Sequence, residues 1–351
     1  MAGATEKLVP EVRVLIDGAE LRPDVMQHMR GLEVELALWI ISQATVTFQN
    51  PDGRVGDLPC FEPGKALEVQ LGYVGDIRSV WKGEIISLEP SFHHEEGQPT
   101  LTVRAYDRLH RLRRGRKQRT FLNQKASDVV RKLAGEESLP AQIEDTGIQH
   151  AYLLQNNVTN LELLRELARV HGWEAFVELG RLVFRQPGSN AGSSLRCKWG
   201  KDLKSLYARH STANVPTKVT VRAWDMATKQ PVVQPASALR GKLGASQSTP
   251  AEVQARFGAA EVQVSARPAE QLGAEAARMA GSLFEEAALR AVRVRGSIVG
   301  DAAWKPGLVA AVEGVGGHWS GDYYLTRVTH LYHAEGGGFS TLFDGHRTGT
   351  R

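Results

Sequence analysis

The chain has 351 residues, room for two or three domains, and its 42% hydrophobic and 23% charged content is ordinary for a globular protein. A net charge of +4 neither requires nor excludes a nucleic-acid partner. Cys60 and Cys197 lie far apart and form no metal-type pair, which favours two reduced thiols over a disulfide framework, the segment MAGATEKLVPEV lacks a signal-peptide core, and no window holds the ~18 apolar residues of a membrane span, so the expected place of synthesis is a cytoplasm.

In chain order, Val12, Val14 and Ile16 alternate with polar residues up to Asp17-Gly18, a hairpin signal. Val34, Leu36, Leu38 and Ile40 predict a strand, and Ala44, Val46 and Phe48 another, ending at the turn Asn50-Pro51-Asp52-Gly53. Leu67, Val69 and Leu71, then residues 83–88 and 100–106, complete a strand-rich domain over 1–110. Residues 108–119, RLHRLRRGRKQR, carry seven Lys/Arg and no acid. They read as a solvated connector or as a contact with an acidic partner surface. The run has no aromatic residue to stack bases, which disfavours nucleic acid.

Residues 111–190 predict a helix-and-hairpin domain. Ser127 reads as an N-cap before Val129, Val130 and Leu133. Thr159-Asn160-Leu161-Glu162 is a capping box, and Gly172 a helix stop. Trp173 to Arg185 returns to strand, turning at Gly180, and 187–194 reads as a linker. A second strand-rich domain is expected over 191–351. No regular structure is assigned to 226–260, and a helix opens at Pro268 within an insertion near 268–290. Strands follow from Val292, with glycine turns at 314–317 and 336–338.

One six-residue stretch occurs twice. Thr102-Val103-Arg104-Ala105-Tyr106-Asp107 returns as Thr220-Val221-Arg222-Ala223-Trp224-Asp225, and both close an alternating run. The echo suggests a duplicated β-domain.

No catalytic constellation rises above background. His93-His94-Glu95-Glu96 lies on extended chain, where neighbours point apart, and His330 and His333 fall on opposite faces of a strand. Gly314 to Gly317 lacks the Lys-Ser/Thr of a phosphate loop, and Glu285-Glu286 are helix neighbours that do not face each other. Neither G-x-S-x-G nor H-E-x-x-H is present. The expectation is a non-enzymatic protein without metal or cofactor.

The ordered segments AYDRLHRLRRGRKQRTF, ASDVVRKLA, QNNVTNLELLRELARVHGWEAFVELGRLVF, VTVRAWDMATKQPV, PGLVAAVEGVGGHWSGDYYLTRVTHLYH and GGGFSTLFDGHR resemble the phage late-control D family of tail hub proteins. The same module opens the VgrG spike of type VI secretion. The resemblance runs from about residue 8 to 347. Its more specific marks are Trp224 to Pro231 and the run Gly321 to His330.

The resemblance implies an α+β, mainly β, chain with two tube-like β-barrels. It implies a homotrimer that joins a sixfold tail tube to a threefold spike. The partners it implies are the tail tube protein, the spike protein, other baseplate subunits, and DNA or protein cargo in the lumen, with no membrane insertion of its own. The setting is the baseplate of a virion or injection particle. VgrG-like chains continue into a needle whereas this sequence stops at Arg351, so the expectation is either a separate spike protein or an assembly that uses another tip. Partner contact is assigned to Arg111, Arg113, Arg114, Arg116, Lys117 and Arg119. The rival readings are a tail-carried cell-wall hydrolase and a nucleic-acid-binding β-protein.

Overall fold

A computed structural model describes residues 9–92, 98–188, 194–226, 228–239, 249–265, 272–336 and 338–348. The first strand set is β1 (Pro10–Ile16), β2 (Ala19–Glu20), β3 (Met29–Ala37), β4 (Gln43–Gln49), β5 (Ala66–Tyr73), β6 (Asp76–Ser91) and β7 (Thr100–Tyr106), with a short helix α1 (Pro23–Met26). Period-two alternation puts Val34, Val46, Phe48, Val69, Val103 and Ala105 into one core. Asp17 and Gly18 both take positive φ in the β1–β2 turn, as a primed hairpin requires.

The later strands are β13 (Ser194–Lys198), β14 (Leu203–His210), β18 (Val292–Val299), β19 (Val309–Glu313), β20 (Gly321–His333) and β21 (Gly338–Arg347). They pack Cys197, Val294, Trp304, Val312, Tyr323 and Phe343 into a second core. The chain is mainly β, and both sets belong to one sheet of 13 strands ordered β14-β18-β21-β20-β3-β4-β7-β6-β5-β1-β2, with β19 and β13 branching from β20. The expected pair of closed barrels is not found among the described residues. Each set is open, and the two are joined edge to edge.

The two sets are the same unit drawn twice. The first runs β5-β6-β7-β4-β3 and the second β19-β20-β21-β18-β14, and every neighbouring pair in both is antiparallel. The irregularities coincide too. β6 bulges between Ile85 and Ser87, and β20 between Leu325 and Arg327. β3 bulges between Met29 and Gly31, and β14 between Leu203 and Ser205. Gly64 N donates to Ile85 O and Ile85 N to Lys65 O, just as Gly307 N donates to Leu325 O and Leu325 N to Leu308 O. Gly64 and Gly307 both take positive φ, and each follows a proline. Only the outermost strands differ, since β1 meets β5 antiparallel whereas β13 meets β19 parallel.

This correspondence corrects the repeat read from sequence. The first copy runs through β7, central in the large sheet, and ends at Asp107 just beyond it; the structural counterpart of β7 is β21. The second copy of the hexapeptide is β15 (Lys218–Asp225), which sits in a separate sheet between β16 (Gln230–Ala236) and β17 (Glu261–Ser265). That small sheet, α4 (Pro250–Gln254) and α5 (Leu272–Leu289) are inserted between β14 and β18. Residues 226–260, given no regular structure from sequence, therefore supply β16 and α4. The helix start at Pro268 and the WD-x-x-T-K-Q-P turn at Ala227 fall outside the described residues.

Between the two sets lies a unit of β8 (Lys117–Lys125), α2 (Ala126–Glu136), β9 (Ala141–Ile143), β10 (Gln149–Val158), α3 (Asn160–His171), β11 (Glu174–Glu178) and β12 (Arg181–Arg185), with its own leucine-rich core. Thr159 and Glu162 form the expected box, and Gly172 closes α3 at φ 69°. Ser127 is not the N-cap of α2. Lys125 is the last extended residue, its N–H donates to Asp128 Oδ2 at 3.2 Å, and Ser127 is buried beside Thr146.

A candidate assembly interface

The six basic residues assigned to partner contact divide by position. Asp107 caps a 3-10 turn over Arg108–Arg113, accepting from Leu109 N at 2.9 Å, and Leu109 and Leu112 anchor the turn in the middle core. Arg111 Nε then reaches the buried Glu84 carboxylate at 3.0 Å, with Arg108 at 3.4 Å from it. Arg116 donates to Asn157 O at 2.7 Å and lies 3.7 Å from Glu162. Lys117 (2.8 Å) and Arg119 pair with Glu136, holding that carboxyl down at about 2, mainly through the Arg119 hydrogen bond. Arg113 and Arg114 are exposed, and Arg114 lies 3.3 Å from His110 Nε2. Most of the run thus braces the chain's own acids, and its outward charge is concentrated at Arg113, Arg114 and Arg116. The alternation of leucine with arginine was the visible sign of that anchoring.

The enzyme-like sequence features do not converge. His93 to Glu96 lie outside the described residues. His330 is fully buried between Trp304 O (3.1 Å) and Thr341 Oγ1 (3.0 Å), and burial lowers its pKa to about 4, whereas His333 is exposed. Gly314 and Gly316 turn the chain between β19 and β20 at positive φ. Glu285 and Glu286 line an 870 Å³ cleft between α3 and α5 together with Arg165, Arg169 and Arg278. Beside it His150 meets Glu275 at 3.3 Å, a pair that sequence reading missed because its members are 125 positions apart. Among the described residues no group of His, Cys, Asp and Glu has the makings of a metal site. Among the same residues no helix is long and apolar enough to cross a membrane. Cys60 and Cys197 are free thiols.

Among the described residues the sheet leaves open edges at β13 and along β1 before β2, and two more at β14 and β6. β14 ends it, and its Tyr207 is 68% exposed. β6 is paired with β5 only over Asp76–Glu84, so beyond Ile85 no described strand lies on that side, where Ile86 and Phe92 stand exposed. Long open edges with apolar side chains are sites of strand addition.

The fold has known counterparts. The chain is 15% identical to a 43 kDa tail protein of prophage MuSo2 from Shewanella oneidensis, with TM-score 0.71 over 96% of this chain and 98% of that one. A tail protein from Neisseria meningitidis MC58 gives 0.68 at 16% identity, covering 96% of each chain. An E. coli component of the type VI secretion system, described as similar to T4 bacteriophage tail proteins gp27 and gp5, gives 0.61 at 13% identity over 95% of this chain and 76% of that one. The fold is therefore one found in phage tail proteins and in a component of the type VI secretion system. No curated protein matches the sequence. The family that does match is described as the Alg8 N-terminal domain rather than late-control D, and its match spans residues 6–333. With nearly the whole length matched, the chain belongs to the Alg8 N-terminal domain family.

Proposed function

We propose that the protein is a structural hub at the distal end of a contractile tail or injection-system tube. Three copies form a ring that joins a sixfold tube to a threefold spike and lines the lumen through which DNA or protein cargo passes. The observation that carries this reading is the five-strand unit occurring twice in one sheet. Three chains carrying two such units each present six similar surfaces to a sixfold partner and three whole chains to a threefold one. Likeness to tail proteins and to a type VI secretion component supports the same role. Arg113, Arg114 and Arg116 are available to an acidic surface of another baseplate subunit, and no residue is assigned a catalytic role. The work done is mechanical: tube, hub and spike move as one body.

The test is mass by light scattering over a range of concentrations, alone and with tube and spike proteins added. The expected value is three times 38.5 kDa, with co-sedimentation of both partners. A 38.5 kDa monomer under all these conditions removes the reading.

A further inference from the structure

The seam between the two units is a template for a contact the single chain does not make. β20 carries β19 on one edge up to Leu325, and beyond its bulge the same edge is taken over by β3, from Arg327↔Ala37 to His333↔Gly31. β6 is the counterpart of β20, and carries β5 on that edge up to Ile85. Beyond its bulge the edge is empty among the described residues. The counterpart of β3 is β14, which ends the sheet and, among the described residues, is met outside it by a single bridge, from Leu203 to Trp199. Among the described strands, one chain therefore holds one completed seam and the two halves of a second, not joined to each other.

Building on the hub reading, we infer that β14 of one copy adds to the Ser87–Phe92 edge of β6 in the next copy, antiparallel, in the register of the β20–β3 seam. Carrying that register across the repeat sets Glu89 opposite Arg209, Ser91 opposite Tyr207 and Phe92 opposite Leu206. The chemistry of these pairs fits the alternation of the seam. Val328, His330, Val34 and Leu32 are its buried members, and their counterparts place Phe92 and Leu206 on that inner face. Glu35 and Arg327 form the outer ion pair of the seam at 3.1 Å. Arg209 stands at the position of Glu35, and Glu89, which already pairs with Arg104 at 2.9 Å on its own sheet, stands at the position of Thr329, directly opposite it on the same outer face. Arg209 is unfavourably placed in the single chain, directly across β14–β18 from Arg293, so an acid from a neighbour relieves like-charge opposition. Phe92 is 62% exposed and Tyr207 68%, values that seam pairing would lower. Pro90 stands at the position of His330 and has no N–H to give, so the added ladder lacks one hydrogen bond there, as an edge strand tolerates. Because each copy offers both halves, the contact is head-to-tail and propagates around a ring.

The experiment pairs Ser91→Cys with Tyr207→Cys in a Cys60→Ser background and oxidises the assembled protein with copper phenanthroline in air. Six strands separate β14 from β6 within a chain, so any bond between these positions joins two copies. The expected result is a ladder of linked chains on non-reducing gels ending at three, absent from either single-cysteine variant. Arg209→Glu, an exposed site, should weaken assembly about tenfold or more in concentration, because it sets two carboxylates directly opposite each other across the new strand pair. Protein that assembles by light scattering yet gives no ladder and ignores Arg209→Glu overturns the strand junction and leaves the hub reading in place. Protein that never exceeds monomer mass overturns both.

Discussion

Glu136 shows how single charges organise the middle unit. It receives Lys117, Arg119 and Asn160 at the end of α2, tying α2 to β8 and α3. Glu136→Gln is expected to cost about 1–3 kcal/mol at neutral pH, as loss of charge-assisted hydrogen bonds does. The folded pKa of about 2 lies below the unfolded one, so this stability is complete above about 4.5 and is lost as pH falls toward about 2. Urea unfolding of both forms at pH 7 and pH 3 should show the gap shrinking. Asp107 behaves oppositely. It accepts from Ser42 N (2.8 Å) and Leu109 N, but burial outweighs these bonds and raises its pKa to about 7. A raised carboxyl costs stability above about 7 and releases that cost as pH falls toward 3.8. Asp107→Ala orphans two buried N–H groups and should cost about 1–3 kcal/mol for each. Measured from pH 8 down to pH 5, wild type should gain on Asp107→Asn.

At the scale of elements, the two copies of the strand unit fill the same volume with different residues. In the first, Val46 faces Val103, and at the corresponding place in the second Gly296 faces Phe343. The Phe343 ring occupies the space of the missing side chain, so a Cβ on Gly296 would stand 2.3 Å from its Cζ. Gly296→Val is therefore expected to destabilise by about 1–3 kcal/mol through overpacking. Adding Phe343→Val should recover part of that loss, because the pair then matches the first unit. A double-mutant cycle of thermal unfolding reads the coupling directly. The capping box of α3 and the Gly172 stop are strictly local, and the sequence showed both.

At the scale of the whole molecule, the β3–β20 seam makes one sheet of two units. Val34 lies at that seam, fully buried between β4 and β20. Because the sheet is continuous, wild type should unfold by calorimetry without a separate transition for either strand set. Val34→Asp buries an unpaired charge there and is expected to cost about 3 kcal/mol or more, splitting or abolishing that transition.

The sequence by itself determined the mainly β character, most strand positions, the β1–β2 turn and the ends of α3. These follow from alternation and from capping within a few residues, which are local. It also pointed to a duplication, but through the wrong strand. Alternating β7 and β15 share a hexapeptide because both need one apolar face, and that pattern says nothing about neighbours. The true marks of the repeat, two Pro-Gly turns and matched bulges, are too short or too irregular to stand out in a sequence. Only the tertiary structure decided which strands pair, that two units share one sheet, that the basic run braces its own chain, and which edges stay open. Those are contacts between distant residues, and pairing across a sheet is fixed by register rather than by the composition of either strand.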